Sequence, residues 1–141
     1  NNHIYDNGVG VINAPGNNTI TNTVATLRDN LINDNTCGVA SGAFGTNAST
    51  PDANTNCGTA AAGVADKVTA TRLTGNAIFD NATGIFSRGL NSTVDIADNH
   101  IVGNAQGLRR IENGVLRTTV PATNFLRNGV DDSTNATTNL G

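Results

Sequence analysis

The sequence predicts an all-β chain wound as a single-stranded parallel β-helix of about five rungs. Three observations predict it. A phrase of the form Asn-x-Ile-x-x-Asn-x-x-Gly, followed by Val, Ile or Leu, recurs with openings at Asn2, Asn30, Asn76, Asn99 and, in a worn copy, Asn124. The intervals between openings are 28, 46, 23 and 25 residues, the size of solenoid coils. Within each copy apolar residues are separated by polar ones with no helical stripe, so the copies read as short strands joined by turns.

Taken in order, intervals of 23 and 25 define the basic coil, 28 is that coil with a few residues added, and 46 is one coil with a long excursion. No copy of the phrase lies between Gly42 and Asp66, and the stretch Ser41-Gly42-Ala43-Phe44-Gly45-Thr46-Asn47 has loop composition. Residues 1–130 therefore form the β-helix domain, with an inserted loop at about 41–66, and residues 131–141 form a polar C-terminal tail. Alignment on the phrase stacks Ile4, Ile32, Ile78, Ile101 and Leu126 in one inward column and Val11, Val39, Ile85, Leu108 and Val130 in a second. Leu27, Leu73, Ile96 and Val120 make a third. Three inward columns give a coil of triangular section, each strand pairing in parallel with its copy about 4.8 Å away. Stability is then a sum of rung-to-rung contacts.

The second Asn of the phrase falls at Asn7, Asn35, Asn81, Asn104 and, after a one-residue deletion, Asn128. An Asn at a corner tolerates left-handed backbone angles, and its amide both donates to and accepts from its copies above and below, so this column is expected to be a structural ladder. The Gly that follows serves a corner needing either positive φ or a tight backbone.

A chain with 37% hydrophobic and 4% aromatic residues is poorly equipped for a globular core, but a β-helix needs only narrow aliphatic columns. Net charge is −3 with 13% charged residues, which gives no electrostatic footprint for nucleic acid. No run of 18 apolar residues is present, so no membrane span is expected. Cys37 and Cys57 bracket most of the inserted loop and are expected to close it as a disulfide worth about 3 kcal/mol, which implies an oxidising, extracellular setting. Asn-x-Ser/Thr triplets at Asn17, Asn47, Asn81, Asn91 and Asn135 carry little weight in so Asn- and Thr-rich a chain.

The phrases Asn76-Ala77-Ile78-Phe79-Asp80-Asn81 with Gly84-Ile85, and Asn99-His100-Ile101-Val102-Gly103-Asn104 with Gly107-Leu108, resemble the repeats of the pectate-lyase-like superfamily. The resemblance implies a right-handed coil. It implies no single activity, because similar scaffolds serve lyases, hydrolases, epimerases, phage spikes and surface adhesins. Lyases of that kind combine calcium-binding acids with a basic residue that removes a proton beside a carboxyl, and no catalytic motif of theirs is recognisable here.

Candidate sites follow from the alignment. Asp6, Asp34 and Asp80 each precede a ladder Asn and would form a row of carboxylates that calcium could bridge, or simply a row of turn residues. His3 and His100 share a repeat position three rungs apart. Arg88, Arg109, Arg110, Arg117 and Arg127 lie in the C-terminal third, and a basic strip centred on Arg109 and Arg110 would hold the carboxylates of an acidic polysaccharide. Asp95 or Asp98 with Glu112 could supply a hydrolytic carboxylate pair.

The first repeat opens at the start of the chain, which leaves the first rung bare, and the tail is a thin lid for the last. Bare rungs around Ile4 and Val11 at one end and Leu126 and Val130 at the other suit either a piece of a longer β-helix or an end that docks onto another copy, and self-association is the expectation. The functional expectation is a non-enzymatic extracellular structural solenoid, forming a fibre or part of an adhesin or biofilm layer and needing no cofactor unless calcium bridges the acidic row. The alternative is a module that binds or cleaves an acidic polysaccharide.

Overall fold

A computed structural model describes residues 1–14, 22–42, 57, 68–88, 92–111, 114–119, 122–134 and 136–138. The chain is a parallel β-helix of five rungs. The first rung comprises β1 (His3–Tyr5), β2 (Val9–Asn13) and β3 (Thr23–Arg28), and the second β4 (Leu31–Asn33), β5 (Cys37–Gly42) and β6 (Thr69–Thr74). The third comprises β7 (Ala77–Phe79), β8 (Thr83–Arg88) and β9 (Ser92–Ala97), and the fourth β10 (His100–Val102), β11 (Gln106–Ile111) and β12 (Val115–Thr118). The fifth has β13 (Asn124–Leu126) and β14 (Val130–Thr134), and β15 (Ala136–Thr138) then turns back. Sheet A runs β1-β4-β7-β10-β13, sheet B runs β2-β5-β8-β11-β14-β15 and sheet C runs β3-β6-β9-β12. All pairings are parallel except β14 with β15. Among the described residues no helix is long and apolar enough to cross a membrane.

Isoleucine at the centre of β1, β4, β7 and β10 drives sheet A inward. Ile4, Ile32, Ile78 and Ile101 stack in register, as do Val11, Val39, Ile85 and Leu108 in sheet B and Leu27, Leu73 and Ile96 in sheet C. Sheet C adds a further inward column of Ala25, Thr71, Val94 and Leu116. In rungs two to four these aliphatic side chains are fully buried, except Leu116, which is partly buried. The 46-residue interval is one coil with an excursion, since β5 and β6 pair with the strands of the rungs on both sides. The long connections of the first two rungs both leave at the corner between sheets B and C, so the other two corners keep constant spacing.

The last rung corrects the alignment. Ile101 pairs with Phe125, and Leu126 pairs with Val102 and is 53% exposed, so Phe125 fills the inward column where Leu126 was expected. The repeat spacing here is 24 residues: Thr123 takes the place of the first Asn, and no deletion precedes Asn128. Val130 accordingly pairs with Gln106, and Asp132 stands opposite Leu108. Thr118 stands opposite Ile96 in the third column, and Val120 lies outside the described residues. The segment expected as a tail continues β14 to Thr134 and returns as β15 along its edge.

The corners differ from expectation in one respect. Left-handed φ, between 53° and 68°, belongs to Asp6, Asp34, Asp80, Gly103 and Arg127 in one column and to Asp29, Gly75 and Asp98 in another, each one residue before the ladder position. Asp serves because a short polar side chain can bond locally in that conformation, and Gly because it has no Cβ. The Asn residues themselves are freed to build the ladder.

Candidate functional site

Two asparagine ladders flank sheet A. In the second, the backbone N–H of Asn7, Asn35, Asn81 and Asn104 each donates at 3.0 Å to Oδ1 of the Asn one rung on, ending at Asn128. The first runs Asn2, Asn30, Asn76 and Asn99 with the same 3.0 Å spacing, and ends where Asn99 donates to Thr123 Oγ1 at 3.4 Å. The Nδ2 groups of Asn35, Asn76, Asn81, Asn99 and Asn104 each also donate to a carbonyl of their own coil and to one of the coil before, as Asn81 does to Phe79 and Ile32. The interior members Asn30, Asn35, Asn76, Asn81, Asn99 and Asn104 are buried and hydrogen-bonded to the rungs beside them, so the ladders' role is to fix rung spacing. Asn81 is 2% exposed and cannot carry a glycan; the asparagines Asn17, Asn47, Asn91 and Asn135 lie outside the described residues.

The acidic row exists as a stack of left-handed corner residues: Asp6, Asp34 and Asp80 occupy successive rungs. Asp34 accepts a hydrogen bond from Asn33 Nδ2. Among the described residues no three His, Cys, Asp or Glu side chains converge as a metal site. His3 and His100 lie in one outward column of sheet A with Leu31 and Ala77 between them. His3 Nε2 meets Asn33 Oδ1 at 2.6 Å, and its ring lies 4.5 Å from that of Tyr5.

The disulfide joins Cys37 to Cys57, pinning the excursion. Ala40 and Phe86 alternate with inward Val39 and Ile85 and so stand on the outer face of sheet B. There they are buried against both cysteines.

The expected basic strip is not assembled on β11. Arg109 is in register with outward Phe86, while Arg110 is in register with Ser41 and Ser87, which bond to Ser92 across the coil interior. Adjacent residues of a strand point to opposite faces, so Arg109 and Arg110 cannot grip one ligand together. Arg109 Nε is buried without a hydrogen-bond partner among the described residues, as is Gln106 Oε1. Glu112, one half of the expected carboxylate pair, lies outside the described residues.

Guanidinium groups meet instead on the outer face of sheet C. Thr26, Arg72, Asp95 and Arg117 form one outward column, one residue before inward Leu27, Leu73 and Ile96. Arg117 grips Asp95 with two hydrogen bonds, Nε to Oδ1 at 2.6 Å and Nη2 to Oδ2 at 3.3 Å, and Arg72 Nε stands 4.0 Å from Oδ2. The bond and charge of Asp95 hold the Arg117 proton above its ordinary pKa. Both arginine side chains are about 60% exposed, so the pairs add little stability. The three residues line an open groove of about 400 Å³ floored by Thr74, Ala97 and Thr119. Exposed Arg28 sits at the edge of the same face, in register with Thr74. Two guanidinium groups therefore flank one carboxylate, with Arg28 two rungs away on the same face, on a chain of net charge −3.

The chain matches no family model, no curated protein and no solved structure.

Proposed function

We propose that the chain is a non-enzymatic extracellular structural β-solenoid whose first-rung face is built to receive a further coil of the same repeat, and that copies associate end to end wherever no coil of the same chain covers that face. One observation carries this reading. Inward residues of the middle rungs are fully buried, whereas Ile4, Val11 and Ala25 of the first rung are only partly so, and β1, β2 and β3 pair on one side only among the described residues. Asn2 and Asn7 also present Oδ1 acceptors toward that face, where each interior Oδ1 takes two N–H groups. A coil of the same repeat supplies those donors and the missing aliphatic contacts at once. At the opposite end β15 covers the edge of sheet B, so a head-to-tail contact would run through the edges of β12 and β13. The disulfide supports an extracellular setting. A right-handed coil and kinship with pectate-lyase-like scaffolds belong to the same proposal.

Sedimentation velocity across a concentration series, with negative-stain micrographs of the same samples, tests it. Particle length that grows with concentration is expected; a species that stays monomeric at high concentration rejects the reading.

The sheet C face favours a second reading, in which the outer wall binds an acidic polysaccharide through Arg72 and Arg117 rather than through Arg109 and Arg110. Guanidinium forks suit planar carboxylates. Electrophoresis through a gel containing polygalacturonate should retard the native protein. The double variant Arg72→Gln and Arg117→Gln should migrate as in a neutral glucan gel. Equal mobility of native protein in both gels sinks this second reading.

A further inference from the structure

The corner between sheets A and B changes sign along the coil axis. On rungs two to five its positions are Asp34, Asp80, Gly103 and Arg127, all with left-handed φ. Glycine, Asn and Asp take that conformation at least cost, whereas an arginine at φ 55° is unusual. The exposed Arg127 side chain has no hydrogen-bond or ion-pair partner among the described residues. No contact within the described chain therefore accounts for an arginine at this corner. The corner between sheets C and A holds Asp29, Gly75, Asp98 and Ala122 on the same four rungs. Between the two corners, the outward column of sheet A beside Arg127 runs Asn33, Phe79, Val102 and Leu126. Phe79 and Val102 are half-buried, and Leu126 is exposed.

We propose that this face of sheet A docks on the same face of a second copy, with the coils antiparallel and the two-fold axis between rungs three and four. Charge selects the arrangement. A parallel pair would bring opposite corners together and set Asp34 against Asp29, leaving Arg127 opposite Ala122. An antiparallel pair centred on rung three would set Asp80 against itself, and one centred on rung four would do the same to Asp98. An axis midway between those rungs leaves no like pair: Arg127 meets Asp34, Asp80 meets Gly103, Asp98 meets Gly75 and Asp29 meets Ala122. Phe79 then packs on Val102 of the second copy, twice, at the centre, and Leu126 covers Asn33 at each end. The first rung takes no part, so this contact is independent of the end-to-end association proposed above. Three-residue strands over four rungs give a face of about 10 Å by 20 Å. That is far below the roughly 800 Å² per partner of a stable interface, so the dimer is weak and salt-sensitive.

The test is sedimentation velocity of the intact, disulfide-bonded chain at low ionic strength, from micromolar to millimolar concentration. The native chain should form a dimer. Leu126→Glu and Arg127→Gly should each weaken it about tenfold, because a two-fold axis makes every substitution count twice. Arg127→Gly should at the same time raise the urea midpoint of unfolding, since glycine takes the left-handed angle with no Cβ to clash. In an equal mixture of isotope-labelled and unlabelled Arg127→Lys protein, a carbodiimide should join the new amine to Asp34 of the other copy. A dimer lost in both variants, together with that cross-link, upholds the contact whatever the ends of the coil do. Growth beyond a dimer that both variants leave unchanged upholds the end-to-end reading and overturns this one. A native chain that stays monomeric overturns both. Cross-links confined to one chain overturn the contact, and a lowered midpoint in Arg127→Gly assigns the arginine to the fold and overturns it too.

Discussion

Replacing Asn81 by alanine should destabilise the fold by about 3 to 5 kcal/mol, because each buried polar group left unmade costs about 1 to 3 kcal/mol and the losses are not additive. The Asn81 side chain makes five hydrogen bonds. It donates to Ile32 O, Phe79 O and Asn104 Oδ1, and it accepts from the backbone and side-chain nitrogens of Asn35. Alanine strands donors and acceptors on three consecutive rungs at a site that excludes water. Asn7→Ala provides the contrast, since its side chain is exposed and donates two hydrogen bonds, to Tyr5 O at 2.7 Å and to Asn35 Oδ1 at 3.2 Å. It should cost about 1 kcal/mol or less. Denaturant unfolding of both variants measures the difference. Equal midpoints would show that the ladder does not set rung cohesion.

Sheet register was legible in the sequence wherever a rung kept both of its anchors. Ile4, Ile32, Ile78 and Ile101 align because each stands two residues after one Asn and three before the next. The fifth rung lost the first anchor to Thr123. Asn124 then offered a false one, which displaced Leu126 and Val130 from the positions taken by Phe125 and Asp132. A hydroxyl can accept the same N–H that an amide oxygen accepts, so Thr123 fits a ladder that a search for Asn passes over. The corner chemistry was hidden for a different reason. Both Asn and Asp tolerate left-handed φ, and only the backbone shows that Asp turns the corner while Asn bonds across rungs.

The arginines show how much of the candidate site the rung spacing already held. Arg109 and Arg110 are adjacent in sequence, and adjacency in a strand separates side chains onto opposite faces. Arg72, Asp95 and Arg117 lie 23 and 22 residues apart, one coil each, and that spacing is what brings side chains together on a solenoid. Charge within a repeat protein is read along the coil axis, column by column. The wall of sheet C is basic only when read that way.

Adding one methyl group at Gly84 should cost about 3 kcal/mol or more, at or above the upper end for overpacked sites. The Gly84 φ is not in the left-handed region, so backbone freedom is not what this position needs. A Cβ there would stand 2.7 Å from the Gly107 carbonyl oxygen and 3.2 Å from Cγ and Nδ2 of Asn104. The first obstacle is main chain of the next rung and the second is a ladder amide held by hydrogen bonds on both sides, so neither can move without prising two rungs apart. Gly10 and Gly38 face the same arrangement, with the next carbonyl oxygen at 2.8 and 2.6 Å, so the glycine column exists to let successive backbones approach beside the amides. Gly8→Ala, at an open position two residues before Gly10, should change stability by no more than about 0.5 kcal/mol, as exposed substitutions do. Urea midpoints for the two alanine variants decide the matter: a Gly84→Ala protein as stable as Gly8→Ala would mean that the rungs tolerate wider spacing, and the tight stack of backbone, amide and glycine would lose its physical basis.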